Sequence, residues 1–362
     1  MRVAVAGTGA FGKNHLRVYR ELEAAGEGVA LVAAVEPNAA RAAETAAKYA
    51  IPVFPTVDAL LAADLKIDAA SVAVPTVHHH AVASVLLDAG LDLLVEKPLA
   101  ATLAEADDLL VLAAKHARIL QPGHLERFNP AVLAVQSRLR RPMFFEAHRL
   151  SIFTPRALDV DVVLDLMIHD LDIVLTFAAS PVREVRAVGL PILSPRVDIA
   201  NVRVEFESGC VANFTASRVS TERVRKLRFF EPRQYVSIDY ARRELLVIRM
   251  DGDGGSGTSG LPPEIAAAIA AGKADPALLA KLAAAGTGGP APGLSFVKPP
   301  VTPGEPLRLE ILSFLEAVRT RQQPRVTARQ GREALALALE IQASMADHAQ
   351  RAGLENFFHP GA

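Results

Sequence analysis

Arg2-Val3-Ala4-Val5-Ala6-Gly7-Thr8-Gly9-Ala10-Phe11-Gly12 decides how this chain is read. A short apolar run enters a glycine turn, and a helix-like stretch over 11–25 leaves it. A Gly-x-Gly-x-x-Gly pattern is weak alone, but between a strand and a helix it points to a dinucleotide. Gly7 permits the tight turn, Gly9 lets a pyrophosphate approach the main chain, and Gly12 allows close helix–strand packing. The helix N-terminus then presents free amides to the anion. Ala10 and Phe11 complete the loop and are expected cofactor neighbours.

The same alternation continues outward. Strand-like runs at 2–6, 31–35, 69–74, 91–95 and 118–120 are separated by helix-like stretches at 11–25, 38–49, 57–63, 79–89 and 103–116. Buried strands with intervening helices predict a parallel, doubly wound α/β sheet over residues 1–122. Thr102 with Glu105 is a capping-box signature for the fifth helix. Beyond 122 the pattern changes. Asn129-Pro130 reads as an N-cap with proline at the first helical position. Turn-bounded strands follow at 143–150, 182–188, 202–207, 211–216, 226–230, 235–239 and 244–249, interrupted by one helix at 159–178. They predict a second domain, 123–362, built on a mostly antiparallel sheet with a helical face. Residues 251–303 are rich in Gly, Ala and Pro and read as an insertion holding one short helix at 262–285. Helices at 305–321 and 327–350 close the chain.

Composition sets the remaining bounds. The chain has 362 residues, 51% of them hydrophobic, and a net charge of −1. That length favours two domains over one. Near-neutral charge gives no reason to expect nucleic acid or a membrane surface as partner. A single cysteine, Cys210, precludes an intrachain disulfide and suits a reducing compartment. No apolar stretch reaches the roughly 18 residues of a membrane span, and the N-terminus lacks a secretion signal. A cytoplasmic protein is expected.

Chemistry is expected at strand ends, because ligands of open α/β sheets sit outside the carboxyl ends of the strands. Glu96-Lys97-Pro98 directly follows the fourth run, so Lys97 stands at such an end. Pro98 keeps Lys97 out of the helical region. Glu36 closes the second run, where a carboxylate takes the ribose hydroxyls of NAD and repels a 2′-phosphate. Arg41 nearby leaves NADP open. In Pro75-Thr76-Val77-His78-His79-His80, adjacent histidines on a helix point about 100° apart and cannot share one metal ion. No metal is expected, and His79 borders the nicotinamide side of the pocket, with Pro75 and Thr76 beside it. Asp165 and His169 are four apart on a predicted helix and so share a face. A carboxylate beside an imidazole orients it and raises its basicity, which suits a general base. Basic residues cluster at Arg223, Arg225, Lys226 and Arg228, and Arg127 and Arg149 are placed facing the cleft. They are candidates for clamping a phosphate-bearing substrate, while solvated strand positions or an oligomer contact account for most of the cluster.

Together the glycine turn, the Pro75–His79 loop, Glu96-Lys97-Pro98 and the Asp165-x-x-x-His169 helix resemble the Gfo/Idh/MocA oxidoreductase family over all but 251–303. The resemblance implies an N-terminal Rossmann domain, a C-terminal α/β domain with a large, mostly antiparallel open sheet, and NAD(P)-dependent oxidation or reduction of sugars and cyclitols. It implies Lys97 and His169 acting at the carbinol, Asp165 orienting His169, and Glu96 and Lys97 also lining the cofactor. It further implies a homodimer or homotetramer through the C-terminal sheet. Within the family, Gly123-His124-Leu125-Glu126-Arg127-Phe128-Asn129-Pro130 and Arg225-Lys226-Leu227-Arg228-Phe229-Phe230 are similar to the UDP-N-acetylglucosamine 3-dehydrogenase branch, which serves lipid A precursors. That similarity implies a nucleotide-sugar substrate contacted by His124, Arg127 and Arg149. A free-sugar or inositol dehydrogenase, an NAD-dependent glycosidase and a non-catalytic NAD-binding regulator are the alternatives.

Overall fold

The computed structural model describes residues 1–154, 160–250 and 294–354. Its first layer is a parallel sheet of β1 (Arg2–Ala6), β2 (Ala30–Val35), β3 (Val53–Phe54), β4 (Ala69–Val72), β5 (Asp92–Glu96) and β6 (Leu120–Gly123). The spatial order is β3-β2-β1-β4-β5-β6, so the direction of winding reverses between β1 and β4. Ligand-binding crevices open at that switch point. Helices α1 (Gly12–Ala24), α2 (Ala39–Tyr49), α3 (Val57–Ala62), α4 (His79–Asp88) and α5 (Leu103–Lys115) connect the strands. Strands β1, β4 and β5 are almost wholly buried because both faces are covered. The capping box forms, with Thr102 accepting from the Glu105 amide and Glu105 from the Thr102 amide.

The first sheet has one strand beyond those expected, and its strand bounds shift most clearly at the sixth. The two-residue strand β3 carries no alternation that marks it in sequence. The sixth strand covers 120–123 rather than 118–120, because Glu96 pairs with Gly123 rather than with an earlier residue.

The second layer is an eight-stranded sheet: β7 (Phe144–Leu150), β8 (Val182–Leu190), β9 (Ile199–Phe206), β10 (Val211–Ser217), β11 (Val224–Glu231), β12 (Gln234–Asp239), β13 (Glu244–Met250) and β14 (Leu294–Val297). Its order is β14-β13-β12-β11-β7-β10-β9-β8, and every pairing is antiparallel except β7 with β10. Strand β14 corrects the expected insertion: residues 294–297 pair with β13 as a sheet edge. The helix expected at 262–285 lies outside the described residues.

Helix α6 (Pro130–Val135) starts as expected, with the Asn129 side chain accepting from the Ala131 amide. The helix expected from 159 is different. Its described part opens as a π-wound turn, Val163–Met167, before α7 (Ile168–Ala178). Helix α7 packs on the inner face of the second sheet, where Phe177 meets the Phe229 ring at 6.1 Å. Helices α8 (Pro306–Thr320) and α9 (Ala328–Arg351) tie the layers together. Leu307, Ile311, Phe314 and Leu315 of α8 join the core beneath β1, whereas Ala338, Ile341 and Met345 of α9 join the core of the second sheet.

Candidate active site

The glycine turn is shaped as its sequence requires. Gly7 has φ +90°, and a Cβ there would lie 2.7 Å from the Ala73 carbonyl oxygen. A Cβ on Gly12 would lie 1.9 Å from the Gly7 carbonyl oxygen, so helix and turn meet only through glycine. Gly9 differs, since nothing lies within 4 Å of the position its Cβ would take. The main-chain N–H groups of Gly9, Ala10 and Phe11 donate to no atom among the described residues, and Phe11 supplies no side-chain cap. Open space above donor amides at a helix start fits a pyrophosphate.

Glu36 is buried at the end of β2. It accepts from the Thr8 amide at 3.2 Å, the Thr8 hydroxyl at 2.9 Å, the Asn38 amide at 3.0 Å and the Arg41 guanidinium at 3.0 Å. Burial alone would raise this carboxyl, but those donors outweigh it and hold it below the usual carboxylate range. An ionised Glu36 beside the turn fits the adenosine ribose of NAD.

Beneath the turn lies a buried chain that the sequence reading missed. His15 Nε2 contacts Glu96 Oε1 at 2.8 Å, and His15 Nδ1 contacts the Ser71 hydroxyl at 3.1 Å. It fastens α1 to the end of β5, and Gly123 permits it, since a Cβ there would meet Glu96 at 3.0 Å. The available signal was spacing: His15 falls on the inward face of α1 with Leu16 and Tyr19. Glu96 is thereby engaged inside the protein, next to the cofactor crevice.

His79 corrects an expectation. It is 1% exposed, with Nδ1 2.8 Å from the Pro98 carbonyl oxygen and Nε2 2.9 Å from the Val74 carbonyl oxygen. Its ring couples the loop before Pro75 and Thr76 to the Glu96-Lys97-Pro98 loop, so neither ring nitrogen is available to a nicotinamide. Burial, opposed by the two carbonyls, lowers its pKa. His80 points elsewhere and pairs with Asp108 at 2.7 Å.

Lys97 crosses to the second layer. Its Nζ donates to the main-chain carbonyl of Asp165 at 2.7 Å and reaches that of Leu164 at 3.4 Å. Burial lowers its pKa, while Asp165 and Glu96 act in the opposite sense. His169 sits one turn further on, partly exposed. Its pKa is pushed well below 6.5, first by burial and then by the charges of Lys97 and Arg149. The ring is therefore a neutral imidazole around pH 7.

The expected Asp165–His169 pair does not form. No hydrogen bond joins them, and His169 Nδ1 is buried without a partner. The reason is the π-wound turn at 163–167, which destroys the α-helical i, i+4 alignment and leaves Asp165 beside Lys97. Single π turns recur at functional sites.

The three expected substrate contacts are also engaged internally. Arg149 is 3% exposed and holds Asp170 with two bonds, Nε to Oδ2 at 2.7 Å and Nη2 to Oδ1 at 3.0 Å. Its Nη1 donates to Glu126 at 3.1 Å, and its guanidinium lies 5.0 Å from the Tyr240 ring centroid. Burial disfavours its charge, but Asp170 and Glu126 outweigh that and keep it protonated. Arg127 is buried against Asp172, with Nε at 3.6 Å from Oδ2, and donates to the Thr176 hydroxyl. His124 is 1% exposed; neither ring nitrogen makes a hydrogen bond among the described residues, but Nδ1 lies 3.9 Å from Asp172 Oδ2. All three brace the floor of the site between the layers.

A nucleotide crevice at a switch point, a lysine at the next strand end and a neutral histidine within reach of its charge make a dinucleotide-dependent dehydrogenase. The chain belongs to the Gfo/Idh/MocA oxidoreductase family. Residues 1–124 match the model for the oxidoreductase family with an NAD-binding Rossmann fold, and residues 131–233 match that for the GFO/IDH/MocA C-terminal domain. Among similar proteins is a UDP-N-acetylglucosamine 3-dehydrogenase from Acidithiobacillus ferrooxidans, 39% identical over 246 residues, which are 68% of this chain and 76% of that protein. A solved structure of that enzyme superposes with a TM-score of 0.79 at 33% identity, covering 95% of this chain and 97% of the other. Levoglucosan dehydrogenase in complex with NADH superposes with a TM-score of 0.77 at 16% identity, covering 96% and 97% of the two chains, a likeness of fold.

Proposed function

We propose that this oxidoreductase uses NAD to convert a secondary hydroxyl of a nucleotide sugar to a ketone, with Lys97 and His169 at the reacting carbinol. The observation that carries the reading is Lys97 Nζ beyond the carboxyl end of β5, donating to the Asp165 carbonyl one turn before His169 and close enough for its charge to act on that ring. Bound NAD would supply the hydride acceptor, held by the Gly7–Gly12 turn and Glu36, with Ala10 and Phe11 along the pyrophosphate and Pro75, Thr76 and Glu96 bordering the crevice. His169, being neutral, accepts the hydroxyl proton. The Lys97 ammonium steadies charge developing on the carbinol oxygen, and Asp165 supports that ammonium rather than orienting His169. Arg41, already on Glu36, leaves NADP open as a second cofactor.

Support for a nucleotide sugar comes from the 39% identical relative, whose name gives UDP-N-acetylglucosamine as its substrate. On this reading residues 1–122 hold the cofactor, and 123–362 hold the substrate and assemble a homodimer or homotetramer through the second sheet. The solvent-facing side of that sheet carries a polar ladder suited to self-association, with Asn201 donating to Thr215 at 3.0 Å and Arg203 to Asn213 at 3.4 Å. The setting is the cytoplasm, and the product serves lipid A precursors.

The test is NADH formation across UDP-N-acetylglucosamine, UDP-glucose, free N-acetylglucosamine and myo-inositol, with a carbonyl trap to draw off ketone. UDP-N-acetylglucosamine is expected to give the highest kcat/KM. Turnover of inositol or a free sugar with none of any UDP-sugar would overturn the reading.

A further inference from the structure

The basic run 218–228 sorts itself by strand register. Arg218 is buried on Asp198 at 2.7 Å, and Arg228 pairs with Glu146 at 2.9 Å. Side chains alternate between the faces of a strand. Leu227 and Phe229 of β11 point into the core. Arg225 therefore shares their inner face, where α7 carries His169, while Lys226 and Arg228 take the outer face.

On that inner face Arg225 stands directly opposite Arg149 in the β7–β11 ladder. Cross-strand partners have Cβ atoms about 5 Å apart, so two guanidinium groups are neighbours. Arg149 has taken both nearby carboxylates, Asp170 and Glu126. Arg225 is exposed and makes no hydrogen bond or ion pair among the described residues, and the same is true of Arg223, two residues earlier. The Arg149 charge beside it disfavours the Arg225 cation, Glu126 and Asp170 offset that only in part, and a bound anion would remove the remaining penalty. Arg225 is also close enough for its charge to act on His169. A ligand anion held there would lie beside the reacting end of the site.

We propose that Arg225, with Arg223 next to it, binds the diphosphate of the substrate and decides between phosphate-bearing and free sugars. Guanidinium groups suit this role because they bond phosphate oxygens in pairs. The proposal rests on the nucleotide-sugar reading above and replaces Arg127 and Arg149, which the fold has already engaged.

Arg225→Gln and Arg225→Lys would be compared with the wild type in the NAD-loaded enzyme. The readouts are KM and kcat for UDP-N-acetylglucosamine, competitive inhibition by UDP, and calorimetric binding of UDP. Losing a charged hydrogen bond predicts a KM and an inhibition constant about ten- to hundred-fold higher in Arg225→Gln. kcat and NAD affinity should stay near wild type, and Arg225→Lys should fall between. Wild-type turnover of UDP-N-acetylglucosamine with an unchanged KM in Arg225→Gln would overturn this assignment and leave the enzyme's function standing. A matching fall in NAD affinity would overturn it as well, because the effect would not be local. A wild-type enzyme that neither binds UDP nor oxidises any UDP-sugar would overturn both.

Discussion

Lys97 Nζ lies 2.7 Å from the main-chain carbonyl oxygen of Asp165, so the strand end of the first layer is latched to the π-wound turn of the second. The contact places the only lysine of the crevice loop between the cofactor turn and the turn that leads to His169. It also uses a carbonyl that an unbroken α-helix would have bonded internally.

Lys97→Ala is expected to lower kcat by about 10²- to 10⁴-fold, with NAD affinity kept because the glycine turn and Glu36 are untouched. The pH profile adds a signature. Burial and nearby cations push the His169 pKa well below 6.5, so the acid limb of kcat/KM belongs below pH 6.5. Burial lowers Lys97, so an alkaline limb belongs below pH 10.5. Lys97→Ala removes a positive charge beside His169, which should move the acid limb upward and abolish the alkaline one. Steady-state kinetics from acid to alkaline pH, with NAD titration alongside, checks both. An acid limb that stays in place would count against the coupling.

Gly12 and Gly9 of the turn should separate by readout. Gly12→Ala forces a Cβ to within 1.9 Å of the Gly7 carbonyl oxygen, so it should cost about 1–3 kcal/mol or more of stability. Gly9→Ala meets nothing within 4 Å and should leave stability within about 0.5 kcal/mol of wild type while weakening NAD binding. Thermal melts with and without NAD would show it. Equal destabilisation by the two variants would contradict the assignment of Gly9 to the pyrophosphate.

Glu310 of α8 is fully buried, and neither carboxylate oxygen has a partner. Burial, with Glu96 and Asp172 adding to it, raises its pKa well above 4.5. The folded pKa exceeds the unfolded one, so the stability linked to Glu310 is present below pH 4.5 and is lost as pH rises through the folded value. Glu310→Gln keeps the shape without the charge. Its urea midpoint should equal that of the wild type near pH 4 and exceed it increasingly toward pH 8. A constant difference across that range would show that Glu310 carries no such linkage.

Most of the fold was legible because it is written locally. Strand β1, the glycine turn and α1 follow from neighbouring residues, as do the Thr102 cap and the Asn129-Pro130 start. Strand β14 was hidden because its four residues sit at the end of a Gly, Ala and Pro-rich segment and find their partner in β13. The π turn at 163–167 left no periodic mark in an apolar run.

The candidate site was legible in where its residues stand along the strands and helices and less so in its wiring. Lys97, His169 and Glu36 stand where their strand and helix positions predict. Asp165 serves Lys97 rather than His169, His79 joins two loops, and His15 fastens Glu96. Each of these depends on a partner far along the chain.

By itself, then, the sequence determined the winding of the first sheet, the place of the cofactor turn and the residue types at the strand ends. Short-range periodicity and turn chemistry are enough for those. Only the tertiary structure decided which charges remain free. Arg149 and Arg225 are alike in sequence, but β7 brings Arg149 between Asp170 and Glu126 while β11 sets Arg225 beside it with no carboxylate left to take. Pairing of that kind is fixed by strand register and by burial, which sum over contacts made between distant parts of the chain.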